Sequence, residues 1–161
     1  EGIDKTGYPV LLHIRRVLED ADGFDQALEM LSEQHLAAPA LLTLVGSENH
    51  QRVVIERSPK RCALRRPEGD GPLVTTNDYR KLYKPAASDA GEIYQTTCDR
   101  HDALCRYFAD HDAGRSVEDT RLLYILSEPD IIQNITAQHV VMRPRSGQIR
   151  LFVPRRLLPA A

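Results

Sequence analysis

Hydrophobic positions recur at helical spacing near the start of the chain. From Pro9 onward, apolar residues fall on one face of a helix and charged residues on the other. The apolar positions of this helix are Val10, Leu11, Ile14, Val17 and Leu18. Pro9 suits the first turn, and Asp22-Gly23 ends the helix. A second helix is predicted from Phe24 to about Leu36.

Short apolar and β-branched runs follow these helices, and turn residues separate them. The predicted strands are Ala40 to Val45, Arg52 to Glu56, Arg61 to Arg65 and Leu73 to Thr76. The residues from Gly46 to Asn49 are turn-like and make a hairpin of the first two strands. The residues from Glu68 to Pro72 have the composition of a loop.

The rest of the chain repeats the order of helices before strands. Thr96 to about Asp110 is a predicted helix, and Ser116 opens another, because Asp119 completes a capping-box pattern with Asp in place of Glu. The last two predicted strands, on either side of Pro144 to Gly147, are Thr136 to Met142 and Gln148 to Val153. Segregated helices and antiparallel hairpins predict an α+β fold, with helix pairs packed on antiparallel sheet in a single domain over residues 1–161.

Composition limits the classes of function. The 161 residues include 42% hydrophobic and 27% charged residues, and the net charge is −2, so a nucleic-acid partner is disfavoured. No apolar run reaches the roughly 20 residues of a transmembrane segment. Three cysteines argue against a disulfide scaffold. We expect a soluble protein whose compartment stays open, with the cytoplasm favoured over secretion. No secretory signal is visible, but Glu1 is not a natural start, so a signal could have stood upstream of it.

Cys98, His101 and Cys105 fall on one face of the predicted helix. A Cys–His pair at this spacing can form a thiolate or hold a metal ion. However, Cys98 and Cys105 are two turns apart, roughly 10 Å by helical rise, so the three residues cannot share one ion. A structural role is therefore favoured, and neither a metal nor an organic cofactor is predicted.

A local group of basic residues follows the second predicted strand. Its members are Arg57, Lys60, Arg61, Arg65 and Arg66. Such a group can bind a phosphate, for example that of coenzyme A in an acyltransferase. More often it is a solvated strand edge that resists aggregation, and we favour that interpretation.

The segment from Leu73 to Arg80 contains the strongest candidate for chemistry. A β-branched run stops at Asn77, where a side-chain amide at a strand end can donate a hydrogen bond to a developing oxyanion. An Asn that caps a strand end or a turn is the structural alternative. Spacing alone favours the structural role.

Several strings, in the same order along the chain, resemble the C-terminal portion of acid ceramidase and N-acylethanolamine acid amidase. The strings are Tyr8-Pro9 through Leu31, Leu44-Val45-Gly46, Val53 through Arg57, Thr76-Asn77, Asp99-Arg100, Leu123 to Pro129 and Thr136 to Val153. These enzymes are N-terminal-nucleophile cysteine hydrolases with an αββα sandwich. The chain is similar, more distantly, to isopenicillin N acyltransferase and choloylglycine hydrolase.

The resemblance implies an amidase that cleaves an N-acyl amine through an N-terminal Cys upstream of Glu1. It implies that Asn77 is the oxyanion donor and that Arg100 holds the active-site carboxylate or the substrate carbonyl. Arg100 at the helix surface, paired with a neighbouring Asp, is the alternative. Tyr79, Leu82 and Tyr83 are candidates to line an acyl pocket, with core or loop packing as their alternative. The chain departs from the family in the order Asp78-Tyr79 and in the longer spacing from Asn77 to Arg100.

Two other functions remain open. The chain is alternatively a non-catalytic α+β binding or assembly module, or part of an acyltransferase that moves the acyl group to an amine. The expected partners are a small N-acyl amide and the missing N-terminal segment or subunit. Where that segment would pack, an exposed apolar sheet face is expected, and the chain could form a homodimer through it. Alone, the chain should be inactive, because the nucleophile is absent.

Overall fold

The structure is a computed structural model that describes residues 2–83, 96–109 and 117–154. The chain forms two compact units, of which the first ends at Cys98 and the second begins at Asp99. Helices and small antiparallel sheets make up both units, so the predicted α+β class is confirmed. Because one domain can contain two compact units, the single domain over residues 1–161 stays a prediction.

The first unit places two helices on a three-stranded sheet. Its elements are α1 (Val10–Asp20), α2 (Phe24–Glu33), β1 (Ala40–Val45), β2 (Arg52–Arg57) and β3 (Cys62–Arg65). The strand order is β1-β2-β3, and both pairs are antiparallel. In register, Ile55 of the central strand lies opposite Leu42 on one side and Leu64 on the other. The predicted helices and the first three predicted strands are confirmed within a few residues at their ends.

The core of this unit lies between the helices and one face of β2. Val17 of α1 and Leu31 of α2 pack against Val53 and Ile55. Side chains alternate across a strand, so Val54 and Glu56 lie on the opposite face. Both are fully buried as well. The central strand β2 is therefore covered on both faces, by the helices on one side and by other parts of the chain on the other.

Helix α1 does not bury the face that the sequence predicted. Leu11 and Leu18 are 79% and 80% exposed, whereas His13 is buried beside Val17, one turn away. The imidazole gains a partner inside, because its Nε2 lies 3.0 Å from the carbonyl of Met30. The prediction was right for Val17 and wrong for Leu11 and Leu18, because packing against α2 selected the row that contains His13.

The fourth predicted strand, Leu73 to Thr76, is wrong. This segment pairs with no strand among the described residues, and side chains hold it instead. Arg65 Nη1 donates to the carbonyl of Val74 at 2.7 Å, and Arg65 Nη2 donates to Thr75 Oγ1 at 3.1 Å. The guanidinium thus takes a backbone carbonyl that a neighbouring strand would otherwise bond.

The remaining elements are two helices and a hairpin. They are α3 (Thr97–Ala109), α4 (Asp119–Leu126), β4 (His139–Arg143) and β5 (Gln148–Phe152). Ala103, Ile125 and Ile131 form the buried centre of the second unit. Helix α4 begins at Asp119, and Ser116, its predicted start, lies outside the described residues. None of the helices within the described ranges has both the length and the apolar character needed to cross a bilayer.

The hairpin β4–β5 has two different faces. A short 3₁₀ turn, Pro144–Ser146, and Gly147 join its strands, and Gly147 has the left-handed φ of 67° that glycine accepts without strain. One face carries Val141, which is buried. The other face carries three apolar side chains that are more than half exposed: Met142, Ile149 and Leu151.

Candidate functional site

A buried carboxylate holds the segment that follows Asn77. Glu56 is fully buried at the end of β2. Its Oε1 accepts a hydrogen bond from the backbone N–H of Arg80 at 2.9 Å. Its Oε2 accepts hydrogen bonds from the N–H groups of Lys81 at 2.8 Å and Leu82 at 2.7 Å. Three consecutive amides therefore converge on one side chain.

These hydrogen bonds keep Glu56 ionised in spite of its burial. Burial by itself raises the pKa of the carboxyl, but the N–H groups of Leu82, Arg80 and Lys81, with Arg65, outweigh it and hold the pKa of Glu56 below its ordinary value. The Arg65 guanidinium lies 3.4 Å from Oε1. The carboxylate form of Glu56 is therefore favoured at the place where these backbone amides meet.

A second set of contacts anchors Asn77 itself. The N–H of Asn77 donates to Thr97 Oγ1 at 2.8 Å, at the start of α3. The hydroxyl of Thr97 in turn donates to Asp78 Oδ1 at 3.4 Å, and the hydroxyl of Thr76 donates to the same oxygen at 3.2 Å. The Cys98 thiol lies 3.6 Å from Asp78 Oδ2. Thr97 and Asp78 are both buried, so this network is shielded from solvent.

The Asn77 side chain is exposed, although its backbone is fixed. Its neighbour Asp78 is buried, so the Asp78 side chain points inward while the Asn77 side chain faces solvent. A side-chain amide on a backbone held in place needs little reorganisation when negative charge develops near it. The arrangement is therefore suited to a hydrogen-bond donor for a ligand carbonyl or an oxyanion.

The three residues predicted to line an acyl pocket lie together just beyond Asn77. The rings of Tyr79 and Tyr83 are 5.6 Å apart and inclined at 44°. The Tyr79 hydroxyl donates to the carbonyl of Arg57, and the Arg61 guanidinium lies 4.9 Å from the centre of the Tyr83 ring. Leu82 is half-buried and contributes its N–H to Glu56. Their part in binding an acyl chain stays a prediction.

Arg100 lies in the first turns of α3 and is half-exposed. It belongs to the second compact unit, whereas Asn77 belongs to the first. A common site for these two residues therefore stays a prediction.

The possible Cys–His site on α3 brings His101 close to Cys105. His101 Nδ1 lies 3.7 Å from Cys105 Sγ and 3.2 Å from Asp102 Oδ1, while Cys98 faces Asp78 instead. In the ranges 2–83, 96–109 and 117–154, no three His, Cys, Asp or Glu side chains are grouped as metal ligands.

The basic group after β2 does not form one phosphate-binding surface. Arg57 is buried and points towards α2, where it donates to the carbonyls of Leu31, at 3.0 Å, and of Ser32 and Gln34. Burial lowers the pKa of Arg57 from its ordinary value. The hypothesis of a solvated strand edge is therefore wrong for this residue, which caps the C-terminal end of α2.

Sequence reasoning missed Glu56 and Arg57 as structural determinants of the site. The sequence did contain an indication of their role. The apolar run Val53-Val54-Ile55 continues directly into Glu56 and Arg57, which carry opposite charges. Charged residues that extend a buried apolar strand must find polar partners inside the protein. The identity of those partners, all of them distant in the sequence, was not readable from the run.

Searches against protein-family models and curated proteins returned no match to this chain.

Proposed function

We propose that the complete protein is an amidase that cleaves an N-acyl amine through an N-terminal Cys upstream of Glu1, in an αββα N-terminal-nucleophile fold. The observation that carries this proposal is the exposed Asn77 side chain on a backbone held by Thr97. The buried Glu56 beneath the following residues adds rigidity. The resemblance of the flanking strings to acid ceramidase supports the same reaction.

In the proposed reaction, the Cys thiolate attacks the amide carbon, and the α-amine of the same Cys accepts the thiol proton. An α-amine has a pKa near 8, so it can exchange a proton at neutral pH. Asn77 donates a hydrogen bond to the oxyanion of the tetrahedral intermediate. The intermediate then collapses, the C–N bond breaks, and the amine leaves with the proton. Water hydrolyses the resulting thioester to the carboxylic acid and the free thiol.

Substitution of Asn77 tests the proposed donor. In the protein expressed from the complete gene, Asn77→Ala should lower kcat by about 100- to 1,000-fold on a fluorogenic N-acyl amide, because one oxyanion donor is lost. The matched control is Asn49→Ala, which removes an exposed turn Asn bonded to Asp70. The control should keep nearly full activity. Equal rates for Asn77→Ala and the wild type would remove Asn77 from the mechanism.

The nucleophile is tested separately. Intact mass and N-terminal sequencing of the same preparation should identify a chain or subunit that begins with Cys. An active preparation with no such terminus would contradict the proposed nucleophile.

An acyltransferase differs from an amidase only in the acceptor. Adding a primary amine to the assay should leave the carboxylic acid as the main product if water is the natural acceptor. A new amide as the main product would favour the acyltransferase.

A non-catalytic assembly module is the second candidate, and the hairpin β4–β5 favours it. Met142, Ile149 and Leu151 form an exposed apolar face there. Such faces mark surfaces that another protein segment covers. A complete protein that lacks an N-terminal Cys and hydrolyses no N-acyl amide would favour this candidate.

A further inference from the structure

We propose that Glu56 is a positioning residue for Asn77, an inference that rests on the proposed function above. Its buried carboxylate holds the backbone after Asn77 in the one arrangement in which the Asn77 amide faces the reacting carbonyl. Glu56 touches no substrate in this proposal and acts through Asn77.

Two anchors hold the backbone around Asn77, and two residues separate them along the chain. Thr97 fixes the N–H of Asn77, and Glu56 fixes the N–H of Arg80. Between these anchors stand only Asp78, which is buried, and Tyr79, whose hydroxyl donates to the carbonyl of Arg57. Little freedom remains for the backbone that carries Asn77.

The end of β2 holds this segment through two adjacent residues, Glu56 and Arg57. The Glu56 side chain holds the residues that follow Tyr79, and the Arg57 carbonyl holds Tyr79 itself. Strand β2 is the central strand of its sheet and is bonded on both sides. The segment is therefore held against a rigid strand. A preorganised hydrogen-bond donor requires such support.

A carboxylate is needed at position 56 because its hydrogen-bond partners among the described residues are all donors. Oε1 faces the Arg80 N–H and the Arg65 guanidinium, and Oε2 faces the N–H groups of Lys81 and Leu82. Glutamine has the same shape but only one acceptor oxygen. Its NH₂ group would replace one carboxylate oxygen and would face N–H donors with which it cannot form hydrogen bonds. Glu56→Gln should therefore loosen the segment without emptying the core.

A double-mutant cycle in the complete protein separates positioning from a general structural role. Glu56→Gln alone should lower kcat by about 10- to 100-fold with KM nearly unchanged, because a misplaced donor fails in the transition state. In an Asn77→Ala background, the same substitution should change kcat by less than about 3-fold, because the donor that it positions is already gone. The matched control is Glu29→Gln on the exposed face of α2, which should leave kcat unchanged.

Equal losses from Glu56→Gln in both backgrounds would overturn the inference, because a structural effect does not depend on Asn77. An unchanged kcat in the single variant would overturn it as well. If the wild type hydrolyses no N-acyl amide, the proposed function fails. Amide hydrogen exchange, described next, then decides whether Glu56 positions Asn77.

Amide hydrogen exchange tests the positioning by Glu56 even in a protein without enzymatic activity. In Glu56→Gln, the amides of Arg80, Lys81 and Leu82 should exchange faster, and so should the amide of Asn77, while the amides of β1 stay protected. Exchange at Asn77 equal to that of the wild type would show that Glu56 does not hold this residue, and would overturn the inference.

Discussion

Two adjacent charged residues, Glu56 and Arg57, are almost wholly buried in one strand and point to opposite faces of the sheet. They do not neutralise each other. Glu56 is satisfied by backbone N–H groups, and Arg57 by backbone carbonyls at the end of α2. Each charge thus fixes a different piece of chain, because a buried ion without such partners would cost several kcal/mol.

His13 gives a residue-scale prediction about pH. Burial lowers the pKa of His13, and the nearby Arg57 and Arg16 lower it further, against the hydrogen bond to Met30 that raises it. The neutral ring donates from Nε2, and Nδ1 has no hydrogen-bond partner in the part of the chain that the structure describes. A proton added to Nδ1 would therefore be buried without an acceptor.

The unfolded state consequently binds a proton more readily than the folded state does. Stability should fall as the pH drops through the unfolded value of 6.5 and onward to the lower folded pKa. Urea unfolding between about pH 8 and about pH 5 should show a steeper loss of unfolding free energy in the wild type than in His13→Gln. The exposed His50→Gln should keep the wild-type slope. Identical slopes in wild type and His13→Gln would contradict this assignment.

At the scale of elements, charged side chains connect the hairpin to α4. Asp119 begins α4, and its Oδ1 accepts a hydrogen bond from Arg143 Nε at 3.1 Å, while Oδ2 accepts one from Arg150 Nη1 at 2.7 Å. Its side chain is only 12% exposed. One carboxylate thus ties both strands of the hairpin to the first turn of the helix, where a negative charge also suits the helix dipole.

Asp119→Asn should therefore loosen the hairpin. We expect a loss of about 1–2 kcal/mol of unfolding free energy, kept modest because Arg150 stays partly hydrated. Faster amide exchange in β4 and β5 would locate the effect. The control is Asp130→Asn, whose partners are the Tyr107 hydroxyl and the 70% exposed Arg106, and it should cost less than about 1 kcal/mol. Equal losses in the two variants would show that Asp119 is an ordinary surface charge.

At the scale of the whole molecule, apolar surface remains uncovered in each unit. Met142, Ile149 and Leu151 line one face of the hairpin in the second unit. In the first unit, Leu11 and Leu18 are exposed on α1, and Leu18 borders an open apolar groove of about 640 Å³ along β1. An exposed apolar face of this kind is a candidate surface for association.

The hairpin face should therefore mediate self-association of this chain. Sedimentation velocity should detect a dimer whose population rises with concentration, and Leu151→Glu should shift it to monomer, because a charge would be buried at the contact. The comparison variant is Leu11→Glu on α1, which should dimerise like the wild type. Circular dichroism would verify that both variants fold. A wild type that stays monomeric at about 100 μM would argue against a homodimer through this face.

The sequence by itself located most of the helices and strands and identified the candidate residue. Period-3.6 and period-2 patterns are local properties, so they located α1, α2, the three strands of the first sheet and the hairpin. Asn77 was identified from a β-branched run that ends in an amide and from the flanking resemblance.

Only the tertiary structure decided what surrounds Asn77. The anchors Glu56 and Thr97 lie 21 and 20 positions from Asn77 in the chain. No local pattern encodes such partners, because which buried charge meets which backbone group depends on how the elements pack. The same packing turned His13 inward, left Leu11 and Leu18 outside, and made Leu73 to Thr76 a segment held by Arg65.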